Sequence, residues 1–161
     1  MQLLSARMSP MNPKPDELHL NAWRLFITAH ATLIDTIDRE LIAASCIPLH
    51  WYDVLVELVE APDHRLRLYE LADKVVLSRS GLTRLVDKLE NAGLLKREPN
   101  PEDRRGYYAV LTEAGYAALR KAWPIYAAGI QSHFAAHLSD DEATIFSRVL
   151  RQILKSRQAA E

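Results

Sequence analysis

The 161-residue chain predicts a mainly α fold with a small β-wing, on three observations. Apolar residues recur at spacings of three and four through most of its length, the period of an amphipathic helix. That period breaks at residues 63–68 and 94–111, where apolar and polar side chains alternate as in strands. Immediately before the second break, residues 78–93 combine a hydroxyl start, an apolar stripe and a glycine stop, which marks one short, sharply bounded helix.

Size and composition bound the rest. A chain of this length buries roughly 70% of its unfolded surface, enough for a core without staples. Hydrophobic residues make 48% and charged residues 25%, so ordinary globular packing is expected. Cys46 is the single cysteine, which excludes an intrachain disulfide and points to a reducing compartment. No apolar run approaches the ~20 residues of a membrane span. The first residues lack an apolar core and a cleavage site, so no signal peptide, no membrane partner and a cytoplasmic, nucleoid-associated location are expected. Net charge is −1, but it is uneven: residues 1–60 carry four basic and eight acidic side chains, residues 79–105 seven basic and five acidic.

Taken in order, residues 1–15 hold three of the eight prolines and predict a loose arm. Asp16 or Asn21 is placed to start a first helix, on which Leu18, Ala22, Leu25, Ala29, Leu33, Ile37 and Leu41 share a face that Phe26, Ile34 and Ile42 widen. It ends near Ser45, before Pro48. Trp51, Val54, Leu55, Leu58 and Val59 mark a second helix that Pro62 stops. Leu66 and Leu68 alternate with arginines as a very short strand, and Leu68, Leu71, Ala72 and Val75 give a short third helix. Ser78 is the expected N-cap of the fourth, with Leu82, Leu85, Val86 and Leu89 inward and Gly93 at its end. A hairpin follows, from residues 94–97 to 107–111; Pro99, Asn100 and Pro101 predict a long projecting loop between the strands. Thr112 caps a long helix in which Pro124 predicts a kink or local break. Ser139 starts the last helix, with Asp140, Asp141 and Glu142 in its first turn. Two short helices before a hairpin, bracketed by long helices, make a winged helix-turn-helix with helical extensions.

The residues of this unit resemble the MarR family of bacterial transcriptional regulators. Asp103, Arg105, Leu111 and Thr112 match the ordered wing signature of that family, and LTRLVDKLENAGLLKRE and LYELADKV look like its reading helix and the helix before it. The resemblance spans residues 18–154. Tyr69 departs from it, standing where a small capping residue is usual. The resemblance implies a homodimer whose long N- and C-terminal dimerisation helices, residues 16–47 and 113–157, interlock. It places the DNA-binding winged helix at residues 49–112, with the helix-turn-helix at about 68–92 and the wing at 94–112.

A helix entering the major groove needs polar tips at its start. Ser78, Arg79, Ser80, Thr83, Arg84 and Lys88 supply them: Arg79 and Arg84 are candidates for base contacts, the others for phosphates. Arg104 and Arg105 belong to the wing, and Asp103 is expected to orient an arginine, since a carboxylate repels DNA. By resemblance, one wing arginine enters the minor groove. The expected activity is repression at a palindromic operator, relieved by a small phenolic or anionic aromatic effector. Trp23, His30, His50, Trp51, Asp53, Arg84 and Arg97 are candidates to line its pocket. His133 and His137 have helical spacing for a metal, but no third ligand is placed, so no metal or cofactor is assigned. Two other readings are a winged helix used for protein contact and a redox sensor built on Cys46. Catalysis is not expected, because HExxH, GxGxxG, P-loop and GxSxG motifs are missing.

Overall fold

The structure, a computed structural model, describes residues 14–75, 79–101 and 103–158, with the side chains at 79, 80, 104, 105 and 156–158 outside the description. The arm expected at residues 1–15 and the cap expected at Ser78 therefore lie largely or wholly beyond it. Helix α1 (Glu17–Ala43) starts where Asp16 accepts a hydrogen bond from the His19 amide at 2.9 Å. It closes as the Cys46 amide reaches back to the Leu41 carbonyl at 2.9 Å, with Ser45 in the left-handed region at φ 54°. The next helix, α2 (Leu49–Glu60), follows Pro48, which has no side-chain acceptor; Asp38 of α1 supplies one, accepting from the Leu49 amide at 2.7 Å.

The reading unit comprises β1 (Arg65–Arg67), α3 (Leu68–Lys74), α4 (Arg79–Asn91), β2 (Leu95–Asn100) and β3 (Asp103–Leu111). The strands form one antiparallel sheet in the order β1-β3-β2. Its inner face, Leu66, Leu95 and Ala109, closes a core with Leu55 and Leu58 of α2, Leu71 of α3 and Leu82, Leu85, Val86 and Leu89 of α4. Two expectations change here. The hairpin strands run further than the prolines suggested, leaving only residues 101 and 102 between Asn100 and Asp103. Because β2 is an edge strand, Pro99 fits opposite Tyr107, and the register shifts between Pro99 and Asn100. Tyr69 is not the cap of α3. The cap is Arg67, two residues earlier, and Glu70 accepts from the Arg67 amide at 2.9 Å, so no small hydroxyl is needed at 69.

Gly93 ends α4 at φ 72°, with the Leu94 amide donating to Leu89 O at 2.9 Å. The same place anchors α5 (Glu113–His133): the Thr112 hydroxyl donates to Gly93 O at 2.7 Å and accepts from the Gly115 amide at 3.1 Å. A side chain at 115 would meet the Leu94 carbonyl at 2.1 Å, so glycine is required there. The end of α4, the root of the wing and the start of α5 thus meet at one joint. Of the kink or local break expected at Pro124, the break does not occur. Helix α5 runs through it, held by packing against α1 and α2 although proline cannot donate to the preceding turn. The last helix, α6 (Asp140–Gln158), is opened by Ser139 and Glu142: the Glu142 carboxylate accepts from the Ser139 amide at 2.9 Å. Along the first half of α1 and along α6, large apolar side chains face outward: Leu18, Leu25, Phe26, Ile145, Val149 and Leu154. No helix among the described residues is long and apolar enough to cross a membrane.

Candidate nucleic-acid interface

Helix α4 is two-sided. Leu82, Leu85, Val86 and Leu89 are buried, while Thr83, Arg84, Asp87 and Lys88 are exposed on the opposite side. Arg79 and Ser80 occupy its first turn, so five of the six polar residues expected at the reading surface fall on one helix; Ser78 lies outside the described residues. Asp87 and Glu90 would oppose an anionic ligand, and Arg97 offsets both. Its guanidinium meets Asp87 at 2.5 Å and pairs with Glu90, and its amide donates to Glu90 at 2.9 Å. Burial works against the Arg97 charge, but the hydrogen bonds to Asp87 and Glu90 outweigh it and raise its pKa. The wing strand β2 is thereby clamped to α4, and among the described side chains the exposed cations of α4 are Arg84 and Lys88.

The wing is the β2–β3 ribbon. Arg104 and Arg105 stand on β3, their side chains outside the description. Asp103 lies across from Asn100, and its carboxylate packs over Gly106, where an added Cβ would come within 2.9 Å of Oδ2. On the outer sheet face, Tyr108 stacks with two arginines that the sequence reading did not single out. The guanidinium carbon of Arg65 is 4.9 Å from its ring centroid and that of Arg67 5.8 Å. Hydrogen bonds to Tyr108 and then Tyr69 hold the Arg67 charge and raise its pKa. The signal in the sequence was the alternation Arg65, Leu66, Arg67, Leu68, which puts both arginines on one sheet face.

The expected effector residues are dispersed. An apolar groove of about 810 Å3 lies between α1, the end of α5 and α6; Phe26, His30, Leu33, His133, Phe134 and Phe146 line it. Of the seven candidates only His30 is there. Trp23 is exposed on α1 with its ring 6.3 Å from Phe26. His50 and Asp53 are one turn apart on α2; partial burial raises the Asp53 pKa against the pull of His50, although the residue as a whole stays exposed to solvent. Trp51 packs half-buried on the core, Arg84 is on the outer side of α4, and Arg97 is in the clamp. His133 Nε2 lies 2.6 Å from Glu40 of α1. Cys46 is half-buried, its thiol 3.7 Å from Ala44 O and 3.8 Å from Lys121 O.

A helix-turn-helix with a clamped β-ribbon and a cationic outer helix face defines a winged-helix regulator. Comparison with known proteins gives the family. The sequence model of the MarR family matches residues 47–106, from the entry to α2 into the wing. YkoM of Bacillus subtilis, an uncharacterized HTH-type transcriptional regulator, is 30% identical over 131 residues, 81% of this chain and 82% of its own. The structure of Sco3205, a MarR family transcriptional regulator from Streptomyces coelicolor solved in complex with DNA, superposes with a TM-score of 0.84 at 30% identity, covering 92% of each chain. AbsC, from the same organism and family, gives 0.82 at 29% identity over 92% of this chain and 99% of its own. The chain belongs to the MarR family of transcriptional regulators.

Proposed function

We propose that the chain is a homodimeric, sequence-specific repressor that binds double-stranded operator DNA and is released by a small aromatic or anionic effector. The observation that carries the DNA reading is α4. Its apolar side is buried, and Thr83, Arg84 and Lys88 face solvent beside a wing bearing Arg104 and Arg105. The related Sco3205, solved with DNA, supports it. In this reading Arg79 and Arg84 contact base edges, Ser78, Ser80, Thr83 and Lys88 contact phosphates, and Asp103 orients a wing arginine that enters the minor groove.

The outward apolar faces of α1 and α6 support a second copy, because monomeric surfaces rarely carry such continuous apolar area. The joint at Gly93, Thr112 and Gly115 supports effector control, since it couples α5, which runs into the long helices, to the end of α4. An effector that changes the separation of the long helices would then move the two reading helices apart or together. Trp23, His30, His50, Trp51, Asp53, Arg84 and Arg97 are the candidate effector contacts, and His30 is the one that lines the groove between α1, α5 and α6.

A gel-shift titration tests the DNA reading. Arg105→Ala should weaken operator binding by more than about tenfold while the dimer persists, and affinity should fall steeply with salt as phosphate contacts release counterions. Unchanged affinity would remove the wing from recognition, and a flat salt response would turn the reading toward protein contact.

A further inference from the structure

The wing leaves the body of the protein at a definable hinge. Strand β1 pairs with β3 only over Tyr108, Ala109 and Val110, through Arg67, Leu66 and Arg65. From Tyr107 back to Asp103, β3 pairs with β2 alone. A two-stranded ribbon has little stability of its own, so its direction depends on what holds its root. A cleft of about 460 Å3 separates that ribbon from the start of α3, lined by Arg67, Leu68, Tyr69, Asn100, Asp103 and Tyr107.

Arg67 stands at the last β1 pair, at the edge of this cleft, and joins Tyr108, its strand partner at the root of the ribbon, to Tyr69 in the first turn of α3. Its Nε donates to the Tyr108 hydroxyl at 3.3 Å, and its Nη1 donates to the Tyr69 hydroxyl at 3.0 Å. The guanidinium also lies 5.8 Å and 6.0 Å from the two ring centroids. Tyr69 is tied in turn to Glu70 at 3.4 Å, and Glu70 accepts from the Arg67 amide, so the first turn of α3 and the Arg67 side chain form a closed loop of hydrogen bonds. A planar guanidinium carries Nε and Nη donors in a fixed fork, so it bonds the two hydroxyls from separate nitrogens at a set geometry, which a point-like ammonium does not fix.

We propose that Arg67 is a positioning residue that sets the angle of the wing to the helix-turn-helix, through Tyr108 on one side and Tyr69 on the other. The inference rests on the DNA reading given above. Once α4 is seated, contact by the wing is intramolecular, and its benefit depends on the wing being held within reach of the same DNA segment. A loosened hinge makes the wing lose orientational freedom on binding, which lowers affinity without removing any protein–DNA contact. Arg67 therefore acts through the wing and not on DNA itself.

The experiment is a double-mutant cycle on an operator selected from random DNA, read by fluorescence anisotropy over a salt series. Arg67→Met should weaken binding about tenfold and Tyr108→Phe about threefold, while in the Arg105→Ala background either change should add less than about twofold and leave the salt slope unaltered. Arg67→Lys should be as weak as Arg67→Met, since it keeps the charge and loses the fork. Full multiplication with Arg105→Ala, rescue by lysine, or a salt slope lowered by about one in the Arg105→Ala background would make Arg67 a direct phosphate contact and overturn the proposal. Wild-type affinity in Arg67→Met would overturn it as well. If Arg67→Met loses its fold by circular dichroism, Tyr108→Phe, which removes one hydroxyl and keeps the ring, carries the same cycle to the same two outcomes. Failure of the wild-type chain to select any DNA sinks the underlying reading instead, and is distinct from both.

Discussion

Leu89 and Ile153 are both aliphatic residues on amphipathic helices, yet Leu89 is fully buried while Ile153 is 60% exposed. The contrast extends to the regions that carry them. The winged unit closes a core: every large aliphatic side chain of α4 turns inward into one cluster shared with the sheet, α3 and α2. The long helices do not. Much of the apolar face of α1, and of α6, stays exposed among the described residues. A region whose hydrophobic pattern is satisfied internally can fold in one copy, whereas a region with the same pattern left outward requires another surface to cover it.

The sharpest way to break this comparison is to charge the outward face. Ile145→Asp combined with Val149→Asp should convert a dimer into a monomer by light scattering and reduce operator affinity by about a hundredfold or more, through loss of two-site binding, with the winged unit still folded. A dimer of unchanged mass would show that these faces serve something else. A smaller effect sharpens it from the other side. Leu89→Ala should cost about 2–5 kcal/mol in chemical unfolding, as buried leucines do. In the monomeric background Ile153→Ala should cost under about 0.5 kcal/mol, as exposed positions do. Similar losses at the two positions would erase the distinction between a closed unit and an open one.

Helical periodicity made the helices, their order and most of the core readable from the chain alone. So were the local caps, because Asp16, Thr112 and Ser139 act within three residues of themselves. What stayed hidden depends on distant partners. Pro99 and Pro101 carry a strong local turn preference, but Pro99 is accommodated because β2 is an edge strand, and Pro101 alone stays in the turn. Pro124 breaks an isolated helix but not one packed on two others. Arg97 finds Asp87 and Glu90 because the hairpin folds back along α4, and Arg67 finds Tyr108 across 41 positions of sequence. Neither spacing has a period that a linear reading detects. The exposed polar side of α4 was legible for the same reason as the helices, since it is the polar remainder of a strongly patterned helix; that it reads DNA is the proposal. The proposed effector residues were chosen by type, and type does not specify which cavity a side chain reaches.

The central claim is that two copies of one closed reading unit are held at a fixed spacing by the long helices. Selection of bound fragments from random-sequence DNA by the wild-type chain tests it directly. Two inverted half-sites whose centres are about one helical turn, ~10 base pairs, apart are expected. Enrichment of a solitary half-site, or of no sequence, would contradict it.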